Sequence, residues 1–139
     1  MSILIKMNLS KILITISIIL YGFVPPFVDF NKTHATNPNW VGHARFHVVW
    51  QVFITFFIAL TALYILWFSE IENGLKHNLV LCLSLCVLGS FFLNMAFKNL
   101  YGGTLADPDG ITPIGEINAN VISFSFALIM LIIGYYWGR

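Results

Sequence analysis

The stretch Asn37-Pro38-Asn39-Trp40-Val41-Gly42-His43-Ala44-Arg45-Phe46-His47-Val48-Val49-Trp50-Gln51 decides how the chain is read, because here a polar loop turns into a long apolar segment that carries ionisable side chains with it. Asn37 is a good helix cap and Pro38 suits the first helical position, where a missing N–H costs nothing, so the pattern predicts a helix that starts here. His43 and His47 then lie one turn apart on one face. At about 100° per residue, Trp40, His43, His47, Gln51, Ile54, Thr55, Ile58 and Ala62 share one side, and this polar stripe is expected to face protein. Arg45 points the other way, where it can snorkel to the headgroups or pair with a loop acid such as Asp29.

Outward from this stretch, the composition places the chain in a bilayer. Of 139 residues, 58% are hydrophobic and 9% charged, too little polar surface to coat a soluble globule. Crossing roughly 30 Å of hydrocarbon takes about 20 helical residues, and four stretches are long enough. Their apolar runs are Ile12–Val28, Phe46–Ser69, Asn78–Phe97 and Ile117–Gly138; none contains Asp, Glu, Lys or Arg, and His47 is their one imidazole. With flanking turns the spans are expected at about 8–28, 40–69, 77–97 and 114–138, a single transmembrane domain over 1–139. The fold class is therefore all-α, an integral membrane four-helix bundle. The first run is not read as a cleaved signal, since Tyr21-Gly22-Phe23-Val24-Pro25-Pro26 offers no small-x-small site. A formal charge of +1 predicts no nucleic-acid partner.

Four spans put both termini on one side with the short loop Glu70–His77. Lys6, Lys11, Lys76 and Arg139 lie there against Lys32, Arg45 and Lys98 opposite, which favours cytoplasmic termini, in a bacterial inner membrane, and a site on the other side. Pro25-Pro26 is expected to kink or end the first helix. In the third span Cys82, Cys86, Gly89 and Ser90 form a small-residue strip read as a seam for a neighbouring helix, and Asn94 and Lys98 end that span. Asp107-x-Asp109-Gly110 lacks the other ligands of a calcium loop. Thr112 is the expected cap of the fourth helix, Pro113 its first residue, and Glu116 sits in its first turn, where the helix dipole favours a carboxylate.

Helices two and four both start on the same membrane side, and the rise per residue gives His43, His47, Glu116 and Asn120 overlapping depths. If the two helices are neighbours, the imidazoles, carboxylate and amides share one pocket beneath the membrane surface. Polar groups at that depth are costly unless paired or wet, so the coincidence marks a site. The lead expectation is binding, and conversion if a proton is moved, of a lipid-like or small amphiphilic ligand. His43, His47 and Glu116 would form the acid–base set, suited to isomerisation, hydration or hydrolysis, with Trp40, Arg45, Trp50, Gln51, Asn94 and Asn120 around the ligand. A structural alternative makes the same groups a hydrogen-bonded clasp in an accessory subunit, alone or as a homo-oligomer. A third reading is a metal site in which His43, His47, Glu116 and His34 hold zinc or iron, although Ala44 stands where a zinc protease has its glutamate.

The string from Asn37 to His47 resembles the N-P-x-W-x-x-H-A-R-F-H signature of a family of small four-span membrane proteins known as a domain of unknown function. The resemblance covers about a tenth of the chain. It implies four spans and a site at the loop–helix junction, and it brings no activity. Similar proteins often carry a proline before the first histidine; here Val41-Gly42 stands in its place.

Overall fold

A computed structural model describes residues 3–105 and 113–138, with side chains from residue 5. Its elements are α1 (Ile3–Gly22), the short α2 (Val24–Asp29), α3 (Gly42–Phe68), α4 (Asn73–Phe97), a 3-10 turn at Lys98–Tyr101, and α5 (Ala119–Trp137). Four helical segments are long and apolar enough to cross a membrane, Ile5–Asp29, Gly42–Phe68, Asn73–Tyr101 and Ala119–Trp137. The first is interrupted at Phe23, and α2 resumes with Pro25 and Pro26 in its opening turn, where their missing N–H groups cost no hydrogen bond.

Two helix starts differ from expectation. Asn37 does not cap α3: its Oδ1 accepts from the Asn39 N–H (2.9 Å) and its Nδ2 donates to the Thr33 carbonyl (3.0 Å), so the residue is buried in closing the loop. The side chain is consumed locally, and α3 starts only after extended Val41. In α5 the cap is Asn118, whose Oδ1 accepts from the Asn120 N–H (2.9 Å) while its Nδ2 donates to the Leu105 carbonyl (2.9 Å). Pro113 is not helical, and Glu116 lies in a tight turn where the Ile114 and Ile117 backbones pair and Gly115 takes φ +64°. Thr112, Asp107 and Asp109 fall outside the described residues. The loop between α3 and α4 is also shorter than expected, because α4 begins at Asn73 and takes His77 into its buried face.

Each spanning helix buries one stripe with spacings of three and four: Ile14, Ser17, Ile18 and Tyr21 on α1; Val52, Thr55, Ala59, Ala62 and Leu66 on α3; His77, Val80, Ser84 and Leu88 on α4; and Ala127, Leu131 and Gly134 on α5. The helices stand in a ring, α1 beside α3, α3 beside α4, α4 beside α5 and α5 beside α1. α1 and α4 touch across the ring, so α3 and α5 occupy opposite corners with no close approach among the described residues. This corrects the expectation that the second and fourth spans are neighbours.

The reason lies in α1. A methyl added to Gly22 would collide with Ala59 Cβ of α3, and one added to Gly134 of α5 would meet Ile14 Cγ1 at 2.7 Å and the Ser10 carbonyl at 3.0 Å. Both partners come nearly backbone to backbone with α1, which wedges between them. Polar bonds hold the same arrangement. The Ser10 hydroxyl donates to the Gly134 carbonyl (2.6 Å) and lies 3.2 Å from His77 Nε2, whose ring also reaches the Asn73 carbonyl. Tyr21 meets Ser84 across the ring at 3.1 Å, Trp67 Nε1 donates to Thr15 (2.9 Å), and the Tyr135 hydroxyl donates to Asn78 (2.9 Å).

Gly22→Ala is expected to lower stability by about 1–3 kcal/mol through overpacking, read as a fall in melting temperature in detergent. Ser17→Ala should leave it unchanged or raise it by up to ~1 kcal/mol, because the buried Ser17 hydroxyl has no partner among the described residues. A second expectation concerns pH. Glu72 caps α4 by accepting from the Gly74 and Leu75 N–H groups (2.7 and 2.9 Å), and these bonds hold its carboxyl below the usual carboxylate range. A lowered folded value means the stabilisation is present above the ordinary glutamate range and is lost as pH falls through the lowered one. The difference in melting temperature between the native protein and Glu72→Ala should accordingly shrink on acidification.

Candidate functional site

The polar stripe of α3 opens into a cleft of about 600 Å³ between α3 and α4, in the half of the bundle away from the termini. From α3 come His47, Trp50, Gln51, Ile54 and Thr55; α4 faces them with Cys86, Ser90, Phe91 and Asn94. Pro25, beside the α1–α2 break, and Phe124 of α5 close the ends. Phe124 stacks on Phe91 with ring centroids 4.2 Å apart, which fixes that wall.

The cleft exists because α4 presents small side chains where it faces α3. Cys86 and Ser90 line the space, and a methyl built on Gly89 would touch nothing within 4 Å. The small-residue strip is therefore not a seam filled by a neighbouring helix of this chain, as expected from sequence. Its thiols are free and exposed.

Polar groups descend the cleft in steps of one helical turn. His47, in the second turn of α3, and Asn94, in the last turn of α4, stand at the mouth. Gln51 and Ser90 come next, then Thr55 and Cys86. Asn94 is steadied by the Tyr101 hydroxyl, which bonds its side-chain amide and its carbonyl (3.0 Å to the latter). Among the described residues no Asp, Glu, Lys or Arg lines the space.

His43 and His47 meet as the helical spacing predicts, Nε2 to Nε2 at 3.0 Å with ring planes near perpendicular at 89°. One ring must donate and the other accept, so the pair holds one proton between its two facing nitrogens. Both rings are exposed, and His47 also faces Trp50 and Phe46 with centroids at 5.8 and 6.0 Å. His47 thus joins the pair to the cleft, while His43 stands outside the lining.

The other expected members lie elsewhere. Glu116 is exposed in its turn and does not line the cleft, so the cleft has no carboxylate to set against an imidazole. Asn120 is exposed in the first turn of α5. Trp40 packs edge-on against His34 at 5.5 Å within the loop, His34 also meets the Thr33 hydroxyl through Nδ1 (2.7 Å), and Arg45 does not reach the cleft. Among the described residues no group of three His, Cys, Asp or Glu converges as a metal would need, so the set His43, His47, Glu116 and His34 is not assembled. Trp50, Gln51, Asn94 and His47 are brought together.

The clasp reading also meets different residues. The interhelical polar bonds belong to Ser10, Tyr21, Trp67, His77, Ser84 and Tyr135. The His43–His47 bond stays within α3. Sequence reasoning missed Phe91, Phe124 and Pro25 as walls and assigned Cys86 and Ser90 to packing; Thr55 was on the α3 stripe without being singled out. Comparison of the chain with models of known families, with curated proteins and with solved structures finds no match.

Because Glu116 is exposed and away from the cleft, Glu116→Gln is expected to leave melting temperature and any ligand-induced stabilisation unchanged. Thermal unfolding of the two proteins side by side, with and without added lipid, checks this.

Proposed function

We propose that this membrane protein binds a small amphiphile in the cleft between α3 and α4, with the polar part of the ligand at His47, Gln51 and Asn94 and its apolar body against Ile54, Phe91 and Phe124. One observation carries the reading: a concave space within the usual range for small-molecule sites, apolar on its walls, with convergent amides and an imidazole at one end. The amides of Gln51 and Asn94 do not tie α3 to α4, which a purely structural role would require. The excess of Lys and Arg on the terminal side, four against three, supports a cleft mouth on the non-cytoplasmic side.

The geometry favours binding over conversion. The acid–base scheme needs a carboxylate beside the imidazole, and among the described residues the lining has none.

Cys86 gives a direct test, since its thiol lines the cleft and Cys82 is the one other cysteine. In a Cys82→Ser background, Cys86 should react with a small membrane-permeant maleimide, and saturating monoacylglycerol should slow the reaction about tenfold or more. Gln51→Leu combined with Asn94→Leu should abolish that protection while the protein stays folded. Labelling that is indifferent to every added amphiphile would refute the binding role.

A further inference from the structure

Thr55 is the midpoint of α3, is 6% exposed, and lines the floor of the cleft. A threonine or serine inside a helix ordinarily returns its hydroxyl to the carbonyl four residues back. Thr61 does so to Phe57 (2.9 Å), Ser69 to Ile65 (2.6 Å), and Ser90 to Cys86. Thr55 does not: its hydroxyl makes no hydrogen bond among the described residues, and the residue, at the midpoint of α3, lines the cleft. An unpaired hydroxyl in such surroundings costs on the order of 1–3 kcal/mol, so a partner arriving in the cleft gains what the fold forgoes.

Two further features restrict that partner. Thr55 lies two helical turns beyond His47, about 12 Å of rise, so one polar headgroup cannot satisfy both the mouth and the floor. Among the described residues the lining has no charged side chain, so a charged group would enter the apolar cleft without a counter-charge from them.

From these observations, and resting on the binding role proposed above, we infer that the cleft takes an uncharged amphiphile bearing two hydrogen-bonding oxygens, one held at the mouth by His47 and Asn94, with Gln51 a turn below them, and a second, about two helical turns below His47, held by Thr55. An oxygenated chain or ring lipid with a neutral head has this form. A phospholipid carries charge at its head.

Three probes of equal chain length test this on the full-length protein in nanodiscs, with affinity read from protection of Cys86 in the Cys82→Ser background. They are a monoacylglycerol with a mid-chain hydroxyl, the same monoacylglycerol without it, and the hydroxylated free fatty acid, which is anionic at neutral pH. The hydroxylated monoacylglycerol is expected to bind about tenfold more tightly than either of the others, the gain of one buried hydrogen bond or the loss of one uncompensated charge. Thr55→Val should erase the advantage of the mid-chain hydroxyl and Thr55→Ser should restore it. Without ligand, Thr55→Val should melt no lower than the native protein; a lower melting temperature would assign the hydroxyl to the fold and overturn the inference. Equal affinity for the two monoacylglycerols would remove the second oxygen while leaving the binding role intact, and equal affinity for the acid would remove the neutral head. Failure of all three probes to protect Cys86 would overturn the binding role itself.

Discussion

The bundle depends on the near backbone-to-backbone approach of α1 to α3 and α5, which Gly22 and Gly134 permit. In lipid, apolar side chains gain little by leaving the acyl chains for a protein core, so helices are held by close van der Waals packing and by polar bonds. α1 provides both. Its stripe of Ile14, Ile18 and Tyr21 fills the centre, while Ser10 and Thr15 bond to α5 and α3. Once α1 occupies the position between α3 and α5, those two helices cannot meet, and the cleft lies between α3 and α4.

That geometry separates two sets of polar groups. Near the termini, Ser10, His77 and the Gly134 carbonyl form a buried junction of α1, α4 and α5. The Ser10 hydroxyl bonds the Gly134 carbonyl and contacts the His77 ring, which joins the three helices. In the other half, Gln51 and Thr55 reach no partner across the helix interface, and the space between α3 and α4 is open. The first set joins helices, and the second presents hydrogen-bonding groups to whatever enters. The His43–His47 pair stands at the edge of the second set and links the cleft to the exposed first turn of α3.

The four spans were legible in the sequence because span length and the absence of charge are local properties, fixed by the thickness of the bilayer. The α3 stripe was legible for the same kind of reason: helical periodicity alone puts His47, Gln51 and Thr55 on one face, whatever packs against it. What sequence did not show was which helix the stripe faces. That depends on Gly22 and Gly134, whose role appears only when their partners Ala59 and Ile14 are known. Glu116 was misplaced because α5 starts at the Asn118 cap, beyond non-helical Pro113, which leaves Glu116 in a turn before α5. Asn37 likewise looked like a cap, and its Oδ1 does take the Asn39 N–H as a cap would, but the turn it starts ends at Trp40 and extended Val41 precedes α3. His77 was read as a loop residue because it follows Lys76 and a polar run; Glu72 starts the helix early enough to bury it.

The central claim is that α3 and α4 part in the half away from the termini and leave a space for a non-protein molecule. An experimental density map of the protein purified with native lipid measures it most directly. The account predicts elongated non-protein density running from His47 past Gln51 to Thr55, flanked by Phe91 and Phe124. A map in which α4 closes onto α3 along its full length, with Asn94 bonded to Gln51 and no intervening density, would contradict it.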